Sequence, residues 1–237
     1  MKILKNLTQI IYPNKCISCQ NNISYDAIFC LNCWQSLEFI KEPFCQICSF
    51  PFELEIINSQ KICANCLSKK QYFDKTLTIY KYNEIIGKAI GNFKYRDQTY
   101  LAKIFAYELL KIAKFEIDRC DIICAVPIHF QKLKNRKFNQ AILIAKHLSS
   151  KKIIYNLVLK IDDKKSQVKL TKKQRLKNLK KSFVINPKFA KNLHNKNIIL
   201  IDDVITTGST INAVAKVLKN NGAKQVIVLA IAKTISS

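Results

Sequence analysis

The sequence predicts an α/β protein: a largely parallel sheet covered by helices, preceded by a small metal-binding module. Three observations carry this expectation. Eight of the ten cysteines form four Cys-x-x-Cys pairs, all before residue 70. Beyond residue 70 the paired cysteines stop, and short apolar runs alternate with helix-like stretches, the pattern of strands joined through covering helices. With 49% hydrophobic and 24% charged residues, a chain of 237 residues can bury one sizeable core and carry a small module. The expected boundary divides residues 1–70 from 71–237.

The first thirteen residues, MKILKNLTQIIYP, are interrupted by Lys5, Asn6, Thr8 and Gln9, too early for a signal-type apolar segment to form. No run of about 18 apolar residues follows anywhere. A cytoplasmic address is therefore expected, and thiols there stay reduced.

That address bears on the cysteine pairs Cys16/Cys19, Cys30/Cys33, Cys45/Cys48 and Cys63/Cys66. A disulfide framework belongs to oxidising compartments, and iron–sulfur motifs usually crowd three cysteines into one loop. Two thiolates three residues apart can share one metal, and two such knuckles complete a tetrahedral four-sulfur Zn²⁺ site. The simplest pairing is Cys16, Cys19, Cys30 and Cys33 for one ion, then Cys45, Cys48, Cys63 and Cys66 for a second. A cross-braced pairing fits the same spacings. With four sulfurs on each ion no ligand place remains for substrate, so this zinc is expected to be structural. Cys120 and Cys124, in CDIICAVP, are expected to pack on one face of a strand.

From residue 71 the expected elements run in order. LTIYKY (77–82) reads as a strand, and EIIGKAIGNFKYR and TYLAKIFAYELLKIAKF as helices with apolar residues at three- and four-residue spacing. DIICAVP, IIYNLVLKI, NIILID and QVIVLAIA read as strands; FNQAILIAKHLS, LTKKQRLKNLKK and TINAVAKVLKNN read as helices.

In such sheets ligands bind beyond the carboxyl ends of strands, where loops enter helices. IILIDDVITTGST, Ile198 to Thr210, lies at such a place: a buried strand, Asp202 and Asp203 marking its end, then Thr206, Thr207, Gly208, Ser209 and Thr210 leading into a helix that ends at Gly222. Backbone N–H groups at the helix start, with the hydroxyls, can seat a phosphate. A P-loop is excluded, because no lysine follows the glycine. Adjacent strand residues face opposite ways, so the two acids suit hydroxyl and metal-water ligation better than proton sharing. An ordinary strand–turn–helix is the alternative.

The net charge of +24 is uneven. Residues 1–70 hold 7 basic residues against 5 acidic, and residues 151–191 hold 14 against 2. Such a segment suits polyanions or substrate phosphates, although 36 of the 40 basic residues are Lys, which a lysine-rich solvated face also explains. Trp34, Phe39, Phe44, Phe50 and Phe52 in the cysteine module suit either base stacking or the module's own small core.

IILIDDVITTGST resembles the 5-phosphoribosyl-1-diphosphate (PRPP) signature of type I phosphoribosyltransferases. AVPIHFQKLKNRKFNQ and SQVKLTKKQRLKNLKKSF resemble the two further segments that mark the ComF family, which also carries an N-terminal double zinc ribbon. The resemblance spans nearly the whole chain. It implies a type I phosphoribosyltransferase-like sheet, with Asp202 and Asp203 on the ribose hydroxyls, directly or through Mg²⁺-bound water, and Thr206 to Thr210 on the 5-phosphate. Val126 to Gln140 would form the pyrophosphate loop, with Arg136, Asn139 and Gln140 matching the family's Arg-x-Phe-Asn-Gln pattern and Lys137 standing where glycine is usual. Gln167, Leu170, Arg175, Asn178 and Phe183 match the second segment, with Ser166 at a place where threonine is common.

Arg136, Lys134, Lys137 and Arg175 are the resulting candidates for neutralising a leaving diphosphate, and His129 for donating to phosphate; His147 and His194 read as surface or packing residues. The implied role is DNA uptake, with PRPP, single-stranded DNA and a DNA-uptake helicase or other competence protein as partners. A nucleobase salvage transferase and a non-catalytic PRPP-sensing module are the alternatives.

Overall fold

The computed structural model describes residues 14–23, 27–52, 61–161 and 182–235. The first module holds two-residue strands β1 (Asn14–Lys15) and β2 (Asn22–Ile23) and the short helices α1 (Leu31–Gln35) and α2 (Ala64–Ser68). There follow β3 (Lys75–Lys81), α3 (Glu84–Tyr95), α4 (Leu101–Arg119), β4 (Ile122–Ala125), α5 (Phe130–Arg136), α6 (Gln140–Leu148), β5 (Val158–Lys160) and β6 (Phe183–Ile185). A 3₁₀ segment (Pro187–Leu193), β7 (Asn197–Ile205), α7 (Ser209–Asn220) and β8 (Gln225–Lys233) complete the fold.

The main sheet has the order β3-β8-β7-β4, and every pairing is parallel. Parallel sheets need cover on both faces, and their strands read as continuous apolar runs. Ile198 to Ile201 and Val226 to Ala232 accordingly include almost no exposed surface. Alternation assigns Ile199, Ile201 and Leu229 to the face under α3, α4 and α6, and Ile198, Leu200 and Val228 to the face under α7 and the β5/β6 hairpin. Asn83 caps α3 by accepting from Ile86 N–H, and α7 ends at Gly222, whose φ of 91° suits glycine.

The two cysteine groups join different faces. Cys16 and Cys33 pack into the α3/α4 side, whereas Cys45, Cys48, Cys63 and Cys66 pack into the α7 side. Between them the chain runs along β3: Ile40 N–H donates to the Ile79 carbonyl (2.9 Å), Lys81 N–H to the Glu38 carbonyl (2.8 Å), and Phe39 bridges Tyr80 antiparallel. The module thereby clasps the edge of the sheet, satisfying backbone groups that an open edge strand leaves unpaired. Buried Asn92 of α3 tightens the clasp, donating from Nδ2 to the carbonyls of Ile17 (2.9 Å) and Ser18 (3.0 Å).

Three expectations change. Asp202 and Asp203 lie inside β7, because pairing with β8 continues to Ile205. The run IIYNLVLKI does not enter the main sheet as a strand; its Val158–Lys160 pairs antiparallel with Phe183–Ile185, and Ile153 makes one bridge to Ile123. Cys120 precedes β4 as the C-cap of α4 and joins the opposite cluster from Cys124, so the two cysteines do not share a face. The helix expected over LTKKQRLKNLKK lies outside the described residues.

Replacing Asn92 with Ala leaves two carbonyls of the first cysteine knuckle unpaired and is expected to destabilise the protein by roughly 1–3 kcal/mol. Calorimetric melting checks this; an unchanged melting temperature would show that the clasp contributes no stability.

Candidate phosphoribosyl site and cysteine centres

The candidate site forms where β7 leaves the sheet. Asp202 is held in the ladder opposite Ala230, with its Oδ1 accepting the N–H of Asp203 (2.9 Å). Burial, then the neighbouring Asp203 carboxylate, raises the Asp202 pKa to about 7. Asp203 turns toward α3 and pairs with Lys94 Nζ at 2.7 Å, both side chains being only about one-sixth exposed. Lys94 carries no motif in the sequence; it follows the buried Phe93 on α3, and only the packing of α3 brings it to the acids.

Beyond Ile205 the exposed Thr206 and Thr207 turn the chain, and Gly208 forms the N-cap of α7 at φ 73°. A side chain there would meet only Ile211 at 3.9 Å, so the left-handed backbone, not crowding, calls for glycine. Thr207 Oγ1 and Ser209 Oγ are 2.9 Å apart, and Thr207 Oγ1 also accepts Ser209 N–H. Hydroxyls thus lie beside the N-terminal turn of α7, an arrangement that favours an anion.

The segment from Val126 to Gln140 lies alongside. Val126 N–H donates to the Ile201 carbonyl (2.9 Å), one residue before Asp202, which joins this segment to the acid pair. His129 caps α5 by accepting Gln131 N–H on Nδ1 (3.2 Å), and Asn139 caps α6 by accepting Ala141 N–H (3.0 Å) while donating to the Val126 carbonyl (3.0 Å). Asn139 therefore closes the loop on itself, and with 8% exposure its side chain positions the segment. Lys137 adopts φ 65°, the left-handed region that favours glycine, and its side chain turns away to Asp97. Arg136 lies 5.2 Å over the Tyr95 ring and donates to the Tyr95 hydroxyl (3.0 Å). Gln140 is 1% exposed, and its Nε2 has no partner among the described residues.

The structure thus gathers Asp202, Asp203, Thr206 to Thr210 and the Arg136 to Asn139 segment at one edge of the sheet. Arg175, with Ser166, Gln167, Leu170, Asn178, Lys172 and Lys173, lies outside the described residues. Phe183 lies in β6, buried. His194 packs against Gly222, where an added Cβ would come within 3.3 Å of it. In the module, Trp34 and Phe39 pack edge to face at 5.7 Å, and Phe50 and Phe52 at 6.5 Å; Phe39, Phe50 and Phe52 pack against the buried clusters, while Trp34 stays 52% exposed.

The cysteines resolve into the two groups of the simplest pairing: within each of Cys16/Cys19/Cys30/Cys33 and Cys45/Cys48/Cys63/Cys66 all four sulfurs lie within 4.8 Å of one another. Closest approaches of 3.7 Å between Cys19 and Cys30 and 3.6 Å between Cys48 and Cys63 match the edge of a tetrahedron of Zn–S bonds about 2.3 Å long. A hydrogen bond from Cys48 holds the Cys45 thiol down at about 4, while burial pushes Cys66 up to about 12, so the group cannot ionise fully without a counter-ion. Both groups fit a closed, structural four-sulfur zinc site.

A family model described as a double zinc ribbon domain matches residues 7–70, and one described as a phosphoribosyl transferase domain matches residues 139–237. Competence protein F of Haemophilus influenzae is 31% identical over 223 residues, covering 86% of this chain and 96% of the relative. Competence protein ComFC of Bacillus subtilis is 24% identical over 226 residues, covering 87% and 89%. DNA utilization protein YhgH of Escherichia coli K12 is 25% identical over 199 residues, covering 81% and 84%. No helix among the described residues is long and apolar enough to cross a membrane.

Two predictions follow from this geometry. Elemental analysis of purified protein is expected to find two zinc ions per chain, and Cys45→Ser/Cys48→Ser one; an unaltered content in the variant would refute the pairing. Because the folded protein retains the Asp202 proton above the pH at which an unfolded carboxylate releases it, Asp202 erodes stability as pH rises from about 4 to about 7. Asp202→Asn should therefore gain on the wild type between pH 5.5 and 7.5, by on the order of 1–2 kcal/mol in denaturant titrations; a pH-independent difference would show that Asp202 titrates normally.

Proposed function

The chain belongs to the ComF family, and from that premise we propose that it acts in DNA uptake or utilisation, binding PRPP at the β7 edge and handling single-stranded DNA. The observation that carries the phosphoribosyl half is the convergence of Asp202, Asp203 and the Thr206 to Thr210 turn with the Val126 to Gln140 segment, tied together by the Val126 to Ile201 hydrogen bond. The names of the relatives, competence proteins and DNA utilization proteins, support the DNA half.

In this reading the acid pair accepts hydrogen bonds from the ribose hydroxyls. Strand pairing on β7 fixes both backbones, so little ordering is left for binding. The α7 N-terminus and the Thr206, Thr207, Ser209 and Thr210 hydroxyls hold the 5-phosphate. The backbone of Lys137 and Asn139, with Arg136, receives the diphosphate, and with the Lys137 side chain drawn to Asp97 that backbone stays approachable. Two hard carboxylates beside a phosphate seat suit Mg²⁺, which when bound would neutralise diphosphate charge. Arg175 and Lys134 remain the further candidates for that neutralisation. Displacement at ribose C1 with pyrophosphate leaving is the reaction such a site supports, and charge stabilisation of the leaving group is its main requirement. We propose a cytoplasmic setting and other competence proteins, a DNA-uptake helicase among them, as partners.

Isothermal calorimetry with PRPP and Mg²⁺ tests this reading. The wild type is expected to bind, and Asp202→Asn/Asp203→Asn to bind at least about tenfold more weakly, since the variant loses hydrogen bonds to charged groups worth roughly 1.5–3 kcal/mol each. Equal affinity in both proteins, or no heat in either, would overturn it.

A further inference from the structure

Helix α5 has an unusual place in the fold. None of its seven residues is buried, although the chain returns to the core at both of its ends. Phe130 is 67% exposed and Leu133 38%, side chains that a helix ordinarily turns inward. Lys132 and Lys134 on the same helix form no ion pair with a described residue. At its end Arg136 lies over Tyr95, itself 67% exposed.

This stretch of chain carries charge of one sign, and the acids near it, Asp97 and Asp203, come from other segments. From residue 122 to 161 the chain has eight basic residues and not one Asp or Glu. Other candidate surfaces differ in this respect. On α4 the exposed Tyr107 and Phe115 also carry stacked cations, Lys111 and Arg119, but Glu108, Glu116 and Asp118 are interleaved with them. The cavity of about 510 Å³ at the opposite end of the sheet has Lys75 paired to Glu116 and Asp74 paired to Lys219.

We propose that α5 and Tyr95 form a contact for a single-stranded nucleic acid passing the mouth of the phosphoribosyl site. Phosphates meet Lys132 and Lys134, and unpaired bases stack on Phe130 and on the Tyr95 ring. Exposed aromatic faces set among unpaired cations select a single strand, because a duplex keeps its base faces stacked inside. A strand held here lies beside the acid pair, so phosphoribosyl binding and strand binding share one edge of the sheet. The inference rests on the proposed DNA-handling role and assigns it a surface.

The test is fluorescence anisotropy of the full chain with a labelled oligothymidylate and with a duplex of equal length, across a salt series. Phe130→Ala/Lys132→Ala should lose at least about five-fold in affinity, with a salt slope shallower by about 0.7 for the lost lysine. Phe130→Trp should retain binding, and Lys111→Ala/Phe115→Ala on α4 should behave as wild type. Since none of the α5 residues is buried, the substitutions leave the core intact, and the melting temperature of Phe130→Ala/Lys132→Ala should match the wild type. Wild-type affinity in that double variant would remove the strand from α5 while leaving the DNA-handling reading in place. No oligothymidylate binding by the wild type would overturn both. Duplex bound as tightly as oligothymidylate would overturn the stacking and leave a general polyanion patch.

Discussion

The hydrogen-bonded position of β7 between β8 and β4 is the constraint on which the rest of the structure depends. Parallel pairing on both sides fixes its backbone, and on the β8 side the pairing runs past the two acids to Ile205. Asp202 and Asp203 are consequently presented by a strand that cannot shift without breaking the centre of the sheet. What is buried there is costly: a carboxylate largely withdrawn from water favours its neutral form, and Asp202 shows this in its raised pKa. Lys94 offsets the same cost for Asp203. The packed apolar strand residues behind the two acids supply the stability that offsets this cost.

The cysteine module makes that arrangement possible from the other side of the sheet. β3 is an edge strand, and segment 38–40 covers it while the two tetrads grip opposite faces. A module of this size buries little apolar surface of its own, so bound metal and the borrowed core of the larger domain share the work of ordering it. The expected boundary at residue 70 marks a change in composition, yet Cys16, Ile17 and Phe29 pack in the same cluster as Ile86, Phe93 and Phe105. The first cysteine tetrad and the sheet thus share one buried cluster.

Legibility in the sequence followed the range of the interactions. The helices at 84–95, 101–119, 140–148 and 209–220 and the strands β3, β4, β7 and β8 were readable, because periodicity and continuous apolar runs are local consequences of what each element buries. Spacing narrowed the tetrads to the simplest pairing or a cross-braced one, and only the fold brings Cys16, Cys19, Cys30 and Cys33 together and Cys45, Cys48, Cys63 and Cys66 together. The IIYNLVLKI run misled because a short apolar run does not reveal its partner, and its partner, Phe183–Ile185, lies more than 20 residues on. The acids were assigned to a strand end because polar residues usually mark one; pairing with β8 overrode that local signal. Lys94, Tyr95 and Asp97 were unreadable as site residues, since one lysine in a lysine-rich chain carries no mark and only the packing of α3 against β7 makes it a counter-ion.

The distribution of charge follows from these two layers. Lys94 is paired and largely buried, so it belongs to the resting balance of the acid pair. Lys137 is paired too, but on the surface, where an ion pair contributes little and yields readily to a competing anion. Lys132 and Lys134 pair with no described acid, and the stretch from 122 to 161 holds eight basic residues and no acid of its own. The cations thus grade from largely buried and paired (Lys94), through exposed and paired (Lys137), to exposed and paired with no described acid (Lys132 and Lys134). An anion approaching these residues would therefore meet uncommitted cations on α5, whereas the lysine beside the acid pair is already paired.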